Sequence, residues 1–392
     1  PPTGDARTMK RMLFTPGPTE IPAEVLASQS RPIPHHRTDE YRQIFLEQTR
    51  LLQEHLGTTQ PVLTLSASGS GAMEAALVNI LSPGDEIIAV EGGKFGERWG
   101  KIAEAYGVAV HRVKVAYGRV ATPQEVESAI EVHPKAKVVF ITHSETSTGA
   151  LFPVHEIAKV VRGKGLLTVV DVVTSYGVYD LHFDASLLDA VVWGSQKGMM
   201  IPPGLGYVCY GPRAWAAAEK ATLPKFYFNL TKARTSLEKG DTPFTPAISL
   251  VIAAHAAASL MAAEGRENVF LRHERNADAT RASVAALGLP LFAQVPSNAV
   301  TAIAVPAGID GGAVVKTMEK RYGVKIAGGQ DSLKGKIFRL GHIGYYDMGD
   351  ILRLVGAFES ALSDHGHRVE PGTAVRAAHE NFRRATAPVA VA

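Results

Sequence analysis

The sequence predicts an α/β fold in which a parallel sheet is covered by helices on both faces. Apolar, β-rich runs alternate with helix-period segments through the first two-thirds of the chain, the pattern of strands joined by crossover helices. A complete helix-start signal falls between two of those runs, and a smaller α/β alternation closes the chain. At 392 residues there is room for two or three cores.

Taken in order, strands are expected at Glu86 to Val90, Val108 to Val115, Lys137 to His143, Leu166 to Asp171, Asp189 to Trp193 and Gly206 to Tyr210. Between the second and third, Thr122 is an N-cap, Pro123 takes the first helical position and Glu125 closes a capping box. The longest apolar run, Ala247 to Gly265, carries His255 in its middle and reads as a buried helix at a domain junction. Beyond it come a helix (Asn268 to Leu287), a strand from Ala299, a helix (Gly311 to Tyr322), a strand from Lys334 and a helix (Met348 to His365). The expected division is an N-terminal extension (1–20), a large domain (21–265) and a small C-terminal α/β domain (266–392). The alanine-rich end after Gly366 is either a surface helix or frayed chain.

Composition narrows the function. Hydrophobic residues at 46% and charged residues at 20% are ordinary globular usage, which excludes disorder, collagen and coiled coil. A net charge of +3, with no basic stripe, gives no reason to expect a nucleic-acid or membrane partner. One cysteine, Cys209, excludes an internal disulfide or a Cys-rich metal site, and no metal is expected. The opening PPTGDARTMKRMLF lacks an apolar signal core, no run reaches the ~18 apolar residues of a span, and Ala390 to Ala392 match no C-terminal address. A cytoplasmic protein is expected.

In open α/β sheets ligands gather outside the carboxyl ends of the strands, and four such places stand out. Ser68, Gly69, Ser70 and Gly71 lead into a helix opening near Ala72; backbone N–H groups, the helix N-terminus and the hydroxyls there suit a phosphate, though an ordinary capped turn reads the same way. Asp171 ends a strand whose apolar run makes a carboxylate costly to bury without a partner; alone, it reads as a cap for the next turn. Lys197 follows the next strand by four residues among Gly198, Met199 and Met200, where desolvation would lower its pKa and make it a nucleophile; most lysines so placed simply reach solvent. Arg339, in KIFRLGHIG, is either paired with an internal carboxylate or held for the carboxylate of a ligand, and spacing by itself favours the internal pair. Together, a phosphate cradle, a strand-end aspartate and a strand-end lysine describe a pyridoxal-phosphate site: an anion cradle, an amine for the aldehyde and an acid for the pyridine nitrogen.

At FTPGPTEIP, SGSGAMEAALVN, THSETSTG, VVDVVTS, GSQKGMMIPPG, TPFTP and GKIFRLGHIG the sequence resembles the class V aminotransferases of pyridoxal-phosphate fold type I, in particular the alanine–glyoxylate and serine–glyoxylate branch. The resemblance implies a large domain with a mostly parallel seven-stranded sheet and a smaller C-terminal α/β domain. It implies that Lys197 holds pyridoxal 5′-phosphate covalently and then serves as general base and acid, and that Asp171 meets the ring nitrogen. Phe95 would stack on the ring and Thr146 bond its hydroxyl. Ser68, Gly69, Ser70 and Gln196 would hold the phosphate, with Thr242 and Thr245 reaching it from the neighbouring subunit of a homodimer whose sites lie at the interface. Arg339, with Gly17, would bind the substrate carboxylate. The implied activity is ping-pong transfer of an amino group from alanine or serine to glyoxylate or a similar small 2-oxo acid.

Alternatives in the same fold are an aspartate-type donor, for which His36, Arg37 or Arg98 would supply a second cation, and a lyase using the same lysine and aspartate. A cysteine desulfurase would need a loop cysteine, whereas Cys209 sits in the strand run GYVCY. A non-catalytic subunit of a complex would have no need of Lys197, Asp171 and Arg339 together.

Overall fold

The computed structural model describes residues 10–386; the first nine residues and Ala390 to Ala392, on which the targeting expectations partly rest, lie outside the described residues. At the centre is a seven-stranded sheet of β1 (Val62–Ser66), β2 (Glu86–Glu91), β3 (Ala109–Lys114), β4 (Ala136–Thr142), β5 (Leu167–Asp171), β6 (Ala190–Gly194) and β7 (Leu205–Tyr210). Their order is β1-β7-β6-β5-β4-β2-β3. Neighbours from β3 across to β6 pair in parallel, while β7 runs antiparallel to both β6 and β1.

Alternate residues of the interior strands feed opposite cores, which is why those strands are mostly apolar, while the edge strand β3 carries His111, Arg112 and Lys114. Ile88, Ile141, Val170 and Val191 pack on one side with α1 (Asp39–Leu56). Ile87, Phe140, Val169 and Val192 pack on the other with α2 (Gly69–Val78) and α3 (Gly96–Ala105). Helices α4 (Pro123–Val132) and α5 (Val154–Gly163) join the first core through Val126, Ile130, Ile157 and Ala158. The capping box expected at the start of α4 is present, with Thr122 and Glu125 bonding reciprocally.

The junction run forms α6 (Ile248–Glu264), and the chain bends by 87° at Gly265 into α7 (Arg266–Ala286). A three-stranded antiparallel sheet follows, with β8 (Val300–Ala304), β9 (Ala327–Gly328) and β10 (Ile337–Gly341) in the order β8-β10-β9. Helices α8 (Gly311–Tyr322), α9 (Met348–Asp364) and α10 (Thr373–Thr386) complete this unit. The described part of the alanine-rich end thus forms a helix up to Thr386; it packs on α7 and α9, burying Ala374, Ala378 and Phe382. Residues Met12–Leu13 pair in parallel with Val324–Lys325, so the N-terminal segment is tied to this smaller unit.

Two expectations need correction. The helix expected near Ala72 begins at Gly69, because Ser68 is its N-cap and Gly69 to Gly71 form its first turn. The strand expected from Lys334 begins at Ile337, because Gly335 takes a left-handed φ of +74° after a single 3-10 turn (Asp331–Leu333). Strand β1 and the long helix α1 had not been anticipated. No single helix among the described residues is long and apolar enough to cross a membrane.

Candidate active site

Strand β5 delivers Asp171 in register with Thr142 of β4 and Val192 of β6. The carboxylate is 3% exposed; Val173 N–H donates to Oδ1 at 2.8 Å and Thr142 Oγ1 to Oδ2 at 3.3 Å. Asp171 therefore does cap the next turn, and it also carries a buried charge with no cationic partner within ion-pair distance among the described residues. Burial pushes its pKa up to about 6, against the pull of the Val173 N–H.

Past β6 the chain turns tightly. Ser195 Oγ donates to Pro202 O at 2.7 Å, Met200 takes a left-handed φ of 57°, and a β-carbon at Gly198 would lie 2.2 Å from Tyr176 O. This turn cannot let Lys197 reach solvent, and the lysine is 7% exposed. Its Nζ donates to Pro16 O at 2.5 Å, and Thr19 Oγ1 donates to Lys197 O at 3.2 Å. Desolvation first, and then the positive field of Arg339, lower its pKa to about 8. Gly17 lies against the same side chain: at φ +124° a β-carbon there would sit 2.2 Å from Lys197 Cδ, so only glycine fits.

The serine-glycine loop adjoins both groups. Gly69 packs on Val173, where a β-carbon would come within 2.8 Å of Val173 Cγ2. A β-carbon at Gly194 would lie 3.1 Å from Gln196 Oε1 and 3.2 Å from Gly69 N. Gly69 and Gln196, the latter next to Lys197 in the chain, therefore meet at Gly194, with Gly69 also against Val173, two residues past Asp171. Gln196 Oε1 is buried there without a partner, and the opposite amide orientation would turn an N–H₂ into the cradle, a donor that an anion would take up. The residues present fit a phosphate.

Arg339, 5% exposed, donates Nε to Gly328 O at 2.9 Å and Nη1 to Thr146 O at 3.0 Å. The internal carboxylate pair that spacing favoured is absent among the described residues: β10 holds the guanidinium on two neutral carbonyls, leaving its charge available to a ligand. Thr146 Oγ1 is 2.6 Å from Thr174 Oγ1, a buried pair.

Sequence reasoning missed Glu145. Its Oε2 accepts from Phe95 N (3.0 Å) and Gly96 N (2.9 Å) at the start of α3, and its Oε1 from Ser147 N (3.0 Å) and Ser147 Oγ (2.6 Å). Burial pushes its pKa up, against these hydrogen bonds. Glu145 thereby fixes the backbone that carries Phe95. The signal that marked Asp171 would have found it, since it too is a carboxylate just past an apolar strand, here among hydroxyl donors.

Other expected residues lie apart. Thr242 Oγ1 donates to Phe244 O within its own loop, and Thr242 and Thr245 line a cleft with Ser66 and Tyr227; neither bonds the cradle of the same chain. Arg37 is paired with Asp241 at 3.0 Å, and the His36 ring lies 4.5 Å from that of His35. Cys209 is fully buried in β7, and burial pushes its thiol pKa up, as for a structural cysteine.

The sequence profile described as Aminotransferase class-V matches residues 11–346. The chain is 44% identical to a protein named soluble hydrogenase, small subunit, of Synechococcus sp., over 94% of this chain and 97% of that one. It is 34% identical to an L-aspartate–glyoxylate aminotransferase of Paracoccus denitrificans, covering 97% and 98% of the two chains. It is 33% identical to a serine–glyoxylate aminotransferase of Methylorubrum extorquens, covering 96% and 97%. The structure superposes on ureidoglycine–glyoxylate aminotransferase from Bacillus subtilis with a TM-score of 0.89 at 28% identity, over 96% of this chain and 99% of that one.

Proposed function

Because the chain belongs to the class V aminotransferase family and so depends on pyridoxal 5′-phosphate, we propose that it moves the amino group of L-alanine or L-serine to glyoxylate or a similarly small 2-oxo acid. The cofactor supplies an aldehyde that condenses with amines and a ring that takes up the electron pair of the breaking Cα–H bond. The chain's own residues do the rest. Lys197 Nζ, whose pKa burial lowers to about 8, would hold the aldehyde and, when not engaged with it, would carry the proton from Cα. Asp171 meets the ring nitrogen with a buried carboxylate, which keeps that nitrogen cationic. Thr146 bonds the ring hydroxyl, and Phe95, fixed by Glu145, covers one face. Ser68, Gly69, Ser70 and Gln196 hold the phosphate. Arg339 clamps the α-carboxylate, with Gly17 bordering the same space.

The observation that carries the donor class is the state of the cations around the site. Arg339 is held on neutral carbonyls, whereas Arg37 is engaged by Asp241, Lys94 by Asp331, and Arg98 is turned toward Ser70 of the phosphate cradle. A second carboxylate, as in aspartate, would enter without a counter-charge. With glyoxylate as acceptor, kcat/KM for alanine or serine should exceed that for aspartate by about tenfold or more; preference for aspartate would sink the proposal. Pyruvate and ammonia released from serine without any 2-oxo acid would favour a lyase instead. Hydrogenase-type chemistry has no support in the residues, since iron–sulfur centres are held by several thiolates and this chain has one cysteine, buried in a strand.

We read the working unit as a homodimer in which Thr242 and Thr245 complete the partner's phosphate site. Supporting this, Phe244 of their loop packs on Phe226 and Tyr227, which are 79% and 44% exposed. The lowered pKa of Lys197 yields a further expectation. Only the neutral amine attacks an aldehyde, so the rate at which stripped protein recaptures its cofactor should rise about tenfold per pH unit up to about 8 and then level off. Stopped-flow absorbance across pH measures it, and a plateau near the ordinary lysine pKa would contradict the burial argument.

A further inference from the structure

We propose that Arg98 is the cationic member of the phosphate subsite. It lies in the first turn of α3, and its Nη1 donates to Ser70 Oγ at 2.7 Å. Its guanidinium carbon stands 4.8 Å from the centre of the Phe95 ring. Several other half-buried arginines are compensated by carboxylates, Arg112 by Glu91 and Glu104, Arg162 by Asp189, Arg266 by Asp180 and Arg272 by Glu264, while Arg275 and Arg353 rest on backbone carbonyls away from the site. Arg98 has no carboxylate within ion-pair distance among the described residues; its polar side-chain contact is the serine of the cradle. A partly desolvated guanidinium without a counter-ion, bonded to a hydroxyl at the start of a helix beside the unpartnered Gln196 Oε1, is the arrangement expected when a ligand supplies the missing charge.

The chemistry of the cradle asks for such a group. Ser68, Gly69, Ser70 and Gln196 offer dipoles and the start of the ten-residue helix α2, but no formal charge. A phosphate monoester carries between one and two negative charges near neutrality. Arg98 occupies a lone pair of Ser70 Oγ, so the Ser70 hydroxyl hydrogen is left to donate to the anion. The charge of Arg98 thus acts on the phosphate both directly and through the orientation of Ser70. Contact with Phe95 joins the two ends of the cofactor site, which raises a competing explanation: Arg98 could serve only to hold that ring.

Comparing pyridoxal 5′-phosphate with pyridoxal separates the two, because both bear the same ring and aldehyde and only one bears the phosphate. The inference rests on pyridoxal-phosphate dependence, so stripped wild-type protein is titrated first; failure of the wild type to bind the phosphate ester would overturn that dependence itself. Given wild-type binding, Arg98→Gln should weaken pyridoxal 5′-phosphate by about ten- to a hundredfold while leaving pyridoxal unchanged, with Arg98→Lys in between. A second readout needs no cofactor: inorganic phosphate should raise the Tm of stripped wild type and of Arg98→Lys, but not of Arg98→Gln. Equal losses for the two aldehydes would assign Arg98 to the ring alone, and an unchanged affinity for the phosphate ester would remove it from the site; either overturns the proposal. Far-UV circular dichroism checks that the variants are folded, and Arg98→Lys keeps the test decisive if the glutamine variant is not.

Discussion

Replacing Lys197 by alanine is expected to lower kcat/KM at least about 10⁴-fold, measured as 2-oxo acid formed from the best amino donor. The effect should be this large because two tasks fall on one atom, covalent retention of the cofactor and movement of the Cα proton. The fold should survive, since Nζ makes a single hydrogen bond, to Pro16 O, while the turn itself is held by Ser195 and Gly198. Lys197→Arg distinguishes charge from nucleophilicity. It retains a cation and a donor for Pro16 O, but a guanidinium stays protonated and does not condense with an aldehyde. It should therefore be as inactive as the alanine variant. Substantial turnover by either would remove Lys197 from the mechanism.

Asp171→Asn is expected to lower kcat by about 10²- to 10³-fold with little change in stability. Asparagine is nearly isosteric, and its amide can still accept from Val173 N–H and donate to Thr142 Oγ1, so both structural hydrogen bonds have substitutes. What disappears is the buried negative charge beside the site. The pH profile supplies a readout that a purely structural role would not move. With its pKa raised to about 6 by burial, the carboxylate is ionised above that pH and protonates as pH falls through it; a cationic ring nitrogen pulls this limb lower still. Wild-type kcat should therefore fall on the acid side at or below about pH 6. The asparagine variant, with no group to protonate there, should lose that limb. An asparagine variant with near wild-type kcat would mean that the charge is not used.

The α/β architecture was legible because strand and helix write different periods into a chain, and because sheets buried on both faces require strands that are apolar throughout. β4, β5 and β6 fall within a residue of the expected bounds at either end. α1 was harder to see. Its start, Thr38 capping Tyr41 N–H, is ordinary, and its apolar face is interrupted by buried Gln48, Thr49 and His55, which need tertiary partners before they read as core. Likewise the helix start at Gly69 is invisible to propensity, which counts Gly-Ser-Gly against a helix. The Ser68 cap and the close approach of Val173 and Gly194 together fix the backbone there.

Among the site residues, Asp171, Lys197 and the Ser68 loop were recognisable by residue type and by position past strand ends. The state of Arg339 was not, because strand alternation cannot say whether a carboxylate stands opposite. Only the folded chain shows Thr146 O and Gly328 O in that place. Glu145 escaped notice since its importance lies in four donors, two of which belong to a helix start some fifty residues earlier.

What the sequence by itself determined is the set of reactive groups and the layered scaffold that exposes strand ends, since residue identity and hydrophobic period are local properties of the chain. What the tertiary structure alone decided is which groups meet and in what electrostatic state. Lys197 finds Pro16 across 181 positions and Arg339 finds Thr146 across 193. The physical reason is that desolvation and charge proximity depend on the distances between segments, which the fold sets and no local pattern records.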